Sequence, residues 1–281
     1  MPLPPQFLTF YGQQYRCMNC SGATSGEGVC PFVLPGPGQT LPVSHFGAIT
    51  TAKIWLIPTN PKNDRTDSNV GFRPTAFLSR AALTDKQVQE TFDHFSEYFQ
   101  RPVTHTFFGP WMQMLEGIEV NGEPQSWNVG EDEFGGICAV DLVKCPTQQD
   151  WGSFVRKPTN ALDKKLICQN CFEDTGPGQF LKRQIGLHQP KVLIFADTAP
   201  YLTENRLINK DDQLFRLWPS EIAVHRTGVW TFGSPPRLSI GLGAVSKIRR
   251  ASPTLLKELR DAIQLLICAW ERRIAAGAGH P

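Results

Sequence analysis

KVLIFA, residues Lys191–Ala196, is the stretch that decides the fold. Its apolar run is too short for a buried helix. It suits a strand covered on both faces, which reads as a continuous apolar run rather than an alternating one. Three more stretches read the same way: Ala52–Ile57 (AKIWLI), stopped by Pro58, then Gly136–Val143 (GICAVDLV) and Leu238–Leu242 (LSIGL). Helical patterns separate them. Thr84–Gln100 has Thr84 as N-cap, Gln87 at N3, and Val88, Phe92, Phe95 and Phe99 at helical spacing. Residues 110–117 suggest a shorter helix, and Gly178–Leu187 (GQFLKRQIGL) another. Ser252, with Pro253 at N1, opens a long helix that turns Leu255, Leu256, Leu259, Ile263, Leu266 and Ile267 inward. Strands alternating with helices predict an α/β three-layer sandwich around a central, mostly parallel four-stranded sheet. In such folds the site lies beyond the carboxyl ends of the strands.

The 281 residues suffice for one large domain or two small ones. With 41% hydrophobic and 19% charged residues the chain reads as globular. The formal net charge is only +2, so any surface for a polyanion must come from local clustering. Lys247, Arg249 and Arg250 form one such cluster, whose plainer reading is a solvated helix start. The densest apolar run, Leu265–Trp270, is far too short to span a membrane. The opening residues lack a basic segment followed by a long apolar core, which predicts a cytoplasmic location and reduced or metal-bound cysteines. The first fifty residues, rich in Gly, Pro, Ser and Cys, read as an irregular arm around a CxxC. Two CxxC pairs, Cys17/Cys20 and Cys168/Cys171, by themselves suggest zinc.

Three of the four strands end in unusual loops. The first runs into Pro58-Thr59-Asn60-Pro61. The second carries Asp141, then Lys144-Cys145-Pro146. The fourth runs through Gly241, Gly243 and Ser246 into the basic cluster. A carboxylate within so apolar a stretch is costly unless it is paired or functional. Asp141 can therefore be a functional group, or it can belong to an internal salt bridge or a hydrogen bond to loop backbone.

These segments, in this order, resemble the uracil-DNA glycosylase superfamily. IPTNP is similar to its first motif, of the form G-x-N-P-G. AVDLVKCP is similar to the T-N-V-V-K-C segment of the iron–sulfur branch, and FLKRQIGLHQPKVLIFAD to that branch's helix, proline and buried strand. GLGAVS stands where the second motif, H-P-S-P-L-S, would be. The resemblance covers roughly residues 50–270. It implies one glycosylase domain over 1–281, with 1–50 as a cysteine-containing arm.

What the resemblance implies residue by residue is as follows. Asn60 falls on the water-positioning residue; its plainer reading is an Asx turn before Pro61. Phe72 or Phe77 supplies the aromatic face on which a flipped base stacks, or is simply core. Asp141 falls where the family has an Asn that reads the base edge. A carboxylate accepts from the N4 amino group of cytosine, and when protonated donates to N3, so Asp141 points away from uracil. Gly241 replaces the family's base-contacting His, and Gly241 with Gly243 leaves room for an enlarged base. Val245 aligns with the apolar wedge that fills the gap left by the flipped base, and Ile248 is the alternative wedge. Ser246, Lys247, Arg249 and Arg250 surround them on the DNA backbone.

The iron–sulfur branch further implies a ligand set of Cys17, Cys20, Cys145 and Cys171, with Cys168 as the alternative to Cys171. Four thiolates suit a 4Fe–4S cluster or zinc, neither needed for the chemistry, and the other reading is free buried thiols. Cys30, Cys138 and Cys268 read as spectators. Together these features lead us to expect a monofunctional DNA glycosylase that excises a hydroxymethylated or glucosylated cytosine, as in phage DNA, and leaves an abasic site. Its partner is duplex or single-stranded DNA, not a membrane. The alternatives are a conventional uracil-DNA glycosylase and a non-catalytic DNA-binding module on the same fold.

Overall fold

A computed structural model describes residues 2–17, 41–59, 72–100, 107–127, 135–142, 144, 171, 179–196, 208–243, 248 and 250–277. The chain divides into two compact units, each assembled from separate stretches. One comprises 1–46, 59–98 and 140–187; the other comprises 47–58, 99–139 and 188–281.

The second unit holds the sheet. Its strands are β1 (Ile54–Ile57), β4 (Ile137–Ala139), β5 (Val192–Ala196), β6 (Ile208–Lys210), β7 (Arg226–Phe232) and β8 (Arg237–Leu242). A separate hairpin, β2 (Glu119–Val120) and β3 (Glu123–Pro124), turns through Asn121 and Gly122. Both turn residues have positive φ, 54° and 75°, as a two-residue hairpin turn requires. Among the described residues the main sheet has six strands in the order β4-β1-β5-β8-β7-β6. β4, β1, β5 and β8 are mutually parallel, with Leu56 beside Ala139 and Ile194, and Phe195 beside Gly241. β7 runs antiparallel to β8, and β6 antiparallel to β7. The four expected strands are thus the parallel part of a larger sheet. β1, β4, β5 and β8 are buried at every residue, which is why they carry no apolar–polar alternation.

Helix α3 (Gly109–Leu115) and the 23-residue helix at Pro253–Ala275 belong to this unit. In the latter the Ser252 side chain accepts from Leu255 N, and Leu256, Leu259, Ala262, Ile263, Leu266, Ile267 and Trp270 form its buried stripe. Leu255, expected inward, is half-buried.

The first unit is aromatic. Helices α1 (Pro5–Tyr15) and α2 (Asp85–Ser96) contribute Phe10, Tyr11, Tyr15, Phe92 and Phe95, which gather around His45 and Phe46. Tyr11 and Phe92 lie 4.7 Å apart between ring centres. A buried polar chain crosses this core: Tyr15 Oη to Ser44 Oγ at 2.6 Å, Ser44 Oγ to His45 Nδ1 at 2.7 Å, and His45 Nε2 to Ser96 Oγ at 3.0 Å. Burial pushes the Tyr15 phenol up from its ordinary value. α2 begins as expected: Thr84 accepts from Gln87 N, and Gln87 reaches back to Thr84 N at 2.9 Å. It ends at Ser96, and Phe99 follows in a short turn.

α1 corrects the expectation of an irregular arm over residues 1–50. Pro5 sits where a helix tolerates proline, and Phe10, Tyr11, Gln14 and Tyr15 make one buried face. A composition averaged over fifty residues hides an 11-residue helix. The expected helix over 178–187 is observed at Phe180–His188.

Candidate functional site

The carboxyl ends of β1, β4, β5 and β8 fall along one edge of the parallel sheet. Orphan carbonyls, emerging loops and strand register make such an edge the usual place for a site. Asn60 follows β1, but it lies outside the described residues, so its side chain has no geometry to report.

Asp141 follows β4 by two residues, past the strand rather than within it. It is 2% exposed. Its Oδ2 is buried and has no hydrogen-bond partner. The adjacent Lys144 is as buried, at 1% exposure, and its Nζ donates to the backbone carbonyl of Asp141 at 2.6 Å. Lys144 O in turn accepts from Val43 N at 2.7 Å, tying the loop to the segment that carries Ser44 and His45. Burial pushes the Asp141 carboxyl up from the carboxylate range, and the Lys144 charge pulls it back in part. The result favours an uncharged acid, which is both a donor and an acceptor. A buried acid with a vacant oxygen can read a ligand group that pairs a donor with an acceptor.

Phe72 is half-buried and stacks on His94, with ring centres 3.7 Å apart and planes inclined by 16°. One face of Phe72 is therefore occupied. Phe77 is half-buried too, and the Arg73 guanidinium lies 5.4 Å over its ring. Gly241 is buried in β8, where its partners are Phe195 and Gly228. β7 bulges between Arg226 and Gly228, beside Gly241 and Leu242. Gly228 cannot carry a side chain there, because a Cβ would meet the Trp230 ring at 2.3 Å. Gly243 is half-buried just beyond the strand.

The wedge expectation needs one correction. Ile248 is 1% exposed, so it is packed inside the protein and cannot enter DNA without leaving that packing. Its position between Lys247 and Arg249 suggested a surface residue; the fold buries it instead. Val245, Ser246, Lys247 and Arg249 lie outside the described residues, and Arg250 is exposed.

Of the proposed thiolates, Cys17 is half-buried and Cys171 buried, while Cys20, Cys145 and Cys168 lie outside the described residues. No group of three potential metal ligands occurs among the described residues. Cys138 is buried in β4 and Cys268 exposed on the last helix; Cys30 is outside the described residues.

A cavity of about 550 Å³ lies in the second unit at the amino ends of β5 and β8, lined by Val192, Arg237, Ile267 and Trp270 among others. Its lining holds none of the candidate site residues read from the sequence. Sequence reading missed the Lys144 contact and the Phe72–His94 stack. Only the proximity of Lys144 to Asp141 in the chain could have signalled the first. No helix among the described residues is long and apolar enough to cross a membrane. No protein-family model matches the sequence, and no curated protein matches it.

Proposed function

We propose that this protein is a DNA glycosylase that flips a modified cytosine out of DNA and hydrolyses its N-glycosidic bond, leaving an abasic site. The observation that carries the reading is Asp141: a buried carboxyl, favoured in its uncharged form, with one oxygen unpartnered. An uncharged acid can accept from the cytosine N4 amino group and donate to N3 at once. A glycine at 241, where the resemblance implies a base-contacting His, suits a base larger than uracil. The reading carries with it the superfamily's three-layer fold, with the parallel sheet as its centre.

In this mechanism Asn60 orients water towards the sugar carbon as the glycosidic bond breaks. The sugar becomes oxocarbenium-like and the base departs with the electron pair, while Asp141 holds its edge. An amide orients water without acting as a strong base. Cys17, Cys20, Cys145 and Cys171 would hold a structural metal, and none of these steps uses it.

The test is a panel of duplex oligonucleotides carrying uracil, cytosine, hydroxymethylcytosine or glucosylated hydroxymethylcytosine, with alkali-labile abasic sites as the readout. The wild type releases a modified cytosine, ignores cytosine and acts poorly on uracil. Asn60→Ala leaves DNA binding nearly intact and slows single-turnover excision by about 10²-fold or more. Release of uracil alone would overturn the role of Asp141. Binding without release of any base would leave the non-catalytic module.

A further inference from the structure

The cavity of about 550 Å³ at the amino ends of β5 and β8 has the size of a small-molecule site, and its whole lining belongs to the second unit. Its walls are mostly apolar. Val192 opens β5, Ile267, Trp270 and Ile274 come from the helix at Pro253–Ala275, and Pro190 and Pro235 complete them. Prolines have no N–H, so they offer a ligand no backbone donor. Trp270 is held in place: the Arg273 guanidinium lies 5.1 Å from its ring centre and is tied to Asp211 at 2.7 Å. A wall fixed in advance costs little ordering on binding.

One group in this lining is out of keeping with the rest. Arg237, the first residue of β8, is 6% exposed. Its Nε donates to Pro190 O at 3.1 Å, its Nη1 to Pro235 O at 3.0 Å and its Nη2 to Gln189 Oε1. These partners are neutral oxygens, and they leave two N–H donors of the guanidinium unused. No carboxylate lies within ion-pair distance of Arg237 among the described residues. A guanidinium stays charged in proteins. A buried cation without a counter-charge is costly, and an anion entering beside it relieves that cost. The other charges on the lining are exposed Lys191 and half-buried Glu271, whose Oε1 accepts from Asn121 N at 2.6 Å. Two cations and one carboxylate leave a single positive charge, which matches a monoanion better than a dianion.

We infer that this cavity binds an amphipathic monocarboxylate of the fatty-acid class, with its carboxylate on the unused N–H groups of Arg237 and its hydrocarbon along Ile267 and Trp270. An Arg–carboxylate pair is charge-assisted, and the planar guanidinium suits the two carboxylate oxygens. The hydrocarbon gains by leaving water for an apolar wall. The site uses no residue of the proposed glycosylase site and does not depend on that reading.

The test titrates the full chain with decanoate, 1-decanol and decyl phosphate in a calorimeter, and follows the melting temperature with decanoate present. Decanoate binds at one site per chain and raises the melting temperature, as a ligand of the native state does. Decanol keeps the tail without the charge and binds about tenfold or more weakly. Decyl phosphate, at a pH where it is doubly charged, binds no more tightly than decanoate. Arg237→Gln reduces decanoate binding to the level of decanol. Arg237 also ties Pro190 to Pro235, so a second variant stands beside it. Ala275→Trp adds bulk at an exposed position of the lining, and removes decanoate binding while the free protein keeps its melting temperature. Equal affinity for decanoate and decanol overturns Arg237 as the partner of the anion. Tighter binding of decyl phosphate overturns the carboxylate class. Decanoate binding that survives Ala275→Trp lies elsewhere and overturns the proposal. Absence of decanoate binding overturns it too, and leaves Arg237 as a tie between the segments that enter β5 and β8.

Discussion

At the scale of the residue, Asp141 makes a pH prediction whose sign follows from its raised pKa. A carboxyl whose folded pKa lies above its unfolded one contributes stability that is fully present below the unfolded value. That contribution is lost as pH rises through the folded value. Asp141→Asn removes the titration and keeps the shape and the Lys144 bond to the backbone carbonyl. The variant should match the wild type near pH 4, the ordinary carboxylate range, and become the more stable of the two as pH rises. Thermal melts across pH check this. An Asn variant less stable at every pH would mean that the carboxylate is ionised and paired with Lys144, since breaking a buried pair costs about 3–5 kcal/mol. The same variant should lose activity on the modified cytosine by roughly tenfold to a hundredfold and shift its preference towards uracil. Asp141 was legible in the sequence because a carboxylate in an apolar run is conspicuous. The burial of Ile248 was not, because it depends on what the fold brings alongside, and its charged neighbours in the chain suggest a surface residue.

At the scale of the element, the caps are the clearest translation of sequence into structure. Thr84 and Gln87 satisfy each other's backbone donors at the start of α2. Thr84→Ala should cost about 1 kcal/mol of stability, seen in the denaturation midpoint with an unchanged slope. A loss near zero would show that α2 is held by its buried face alone. The parallel strands were legible because residues such as Ile54–Ile57 and Val192–Ala196 are apolar without alternation and are followed in the sequence by Pro58 and by Asp197. β6 and β7 were not. β6 has three residues, and β7 is broken by a bulge at Gly228, whose glycine reads as a loop signal. α1 was lost among the glycines and prolines that follow it.

At the scale of the whole molecule, four thiols from distant parts of the chain would have to meet if a metal is bound. Elemental analysis of the purified protein should then find iron or zinc. Cys17→Ala should lower both metal content and melting temperature, because metal binding adds to folding free energy. Neither metal, with an unchanged melting temperature in the variant, would leave the cysteines as free thiols. The strand order of the main sheet has a consequence during synthesis. Strand β5 is flanked by β1, made long before it, and by β8, made well after it. While the ribosome is still translating the intervening residues, one edge of β5 has no strand to pair with. The nascent chain then presents an open, wholly apolar edge of the kind that templates aggregation. A slower elongation rate should therefore lower the soluble yield unless a chaperone shields that edge until Leu242 has emerged.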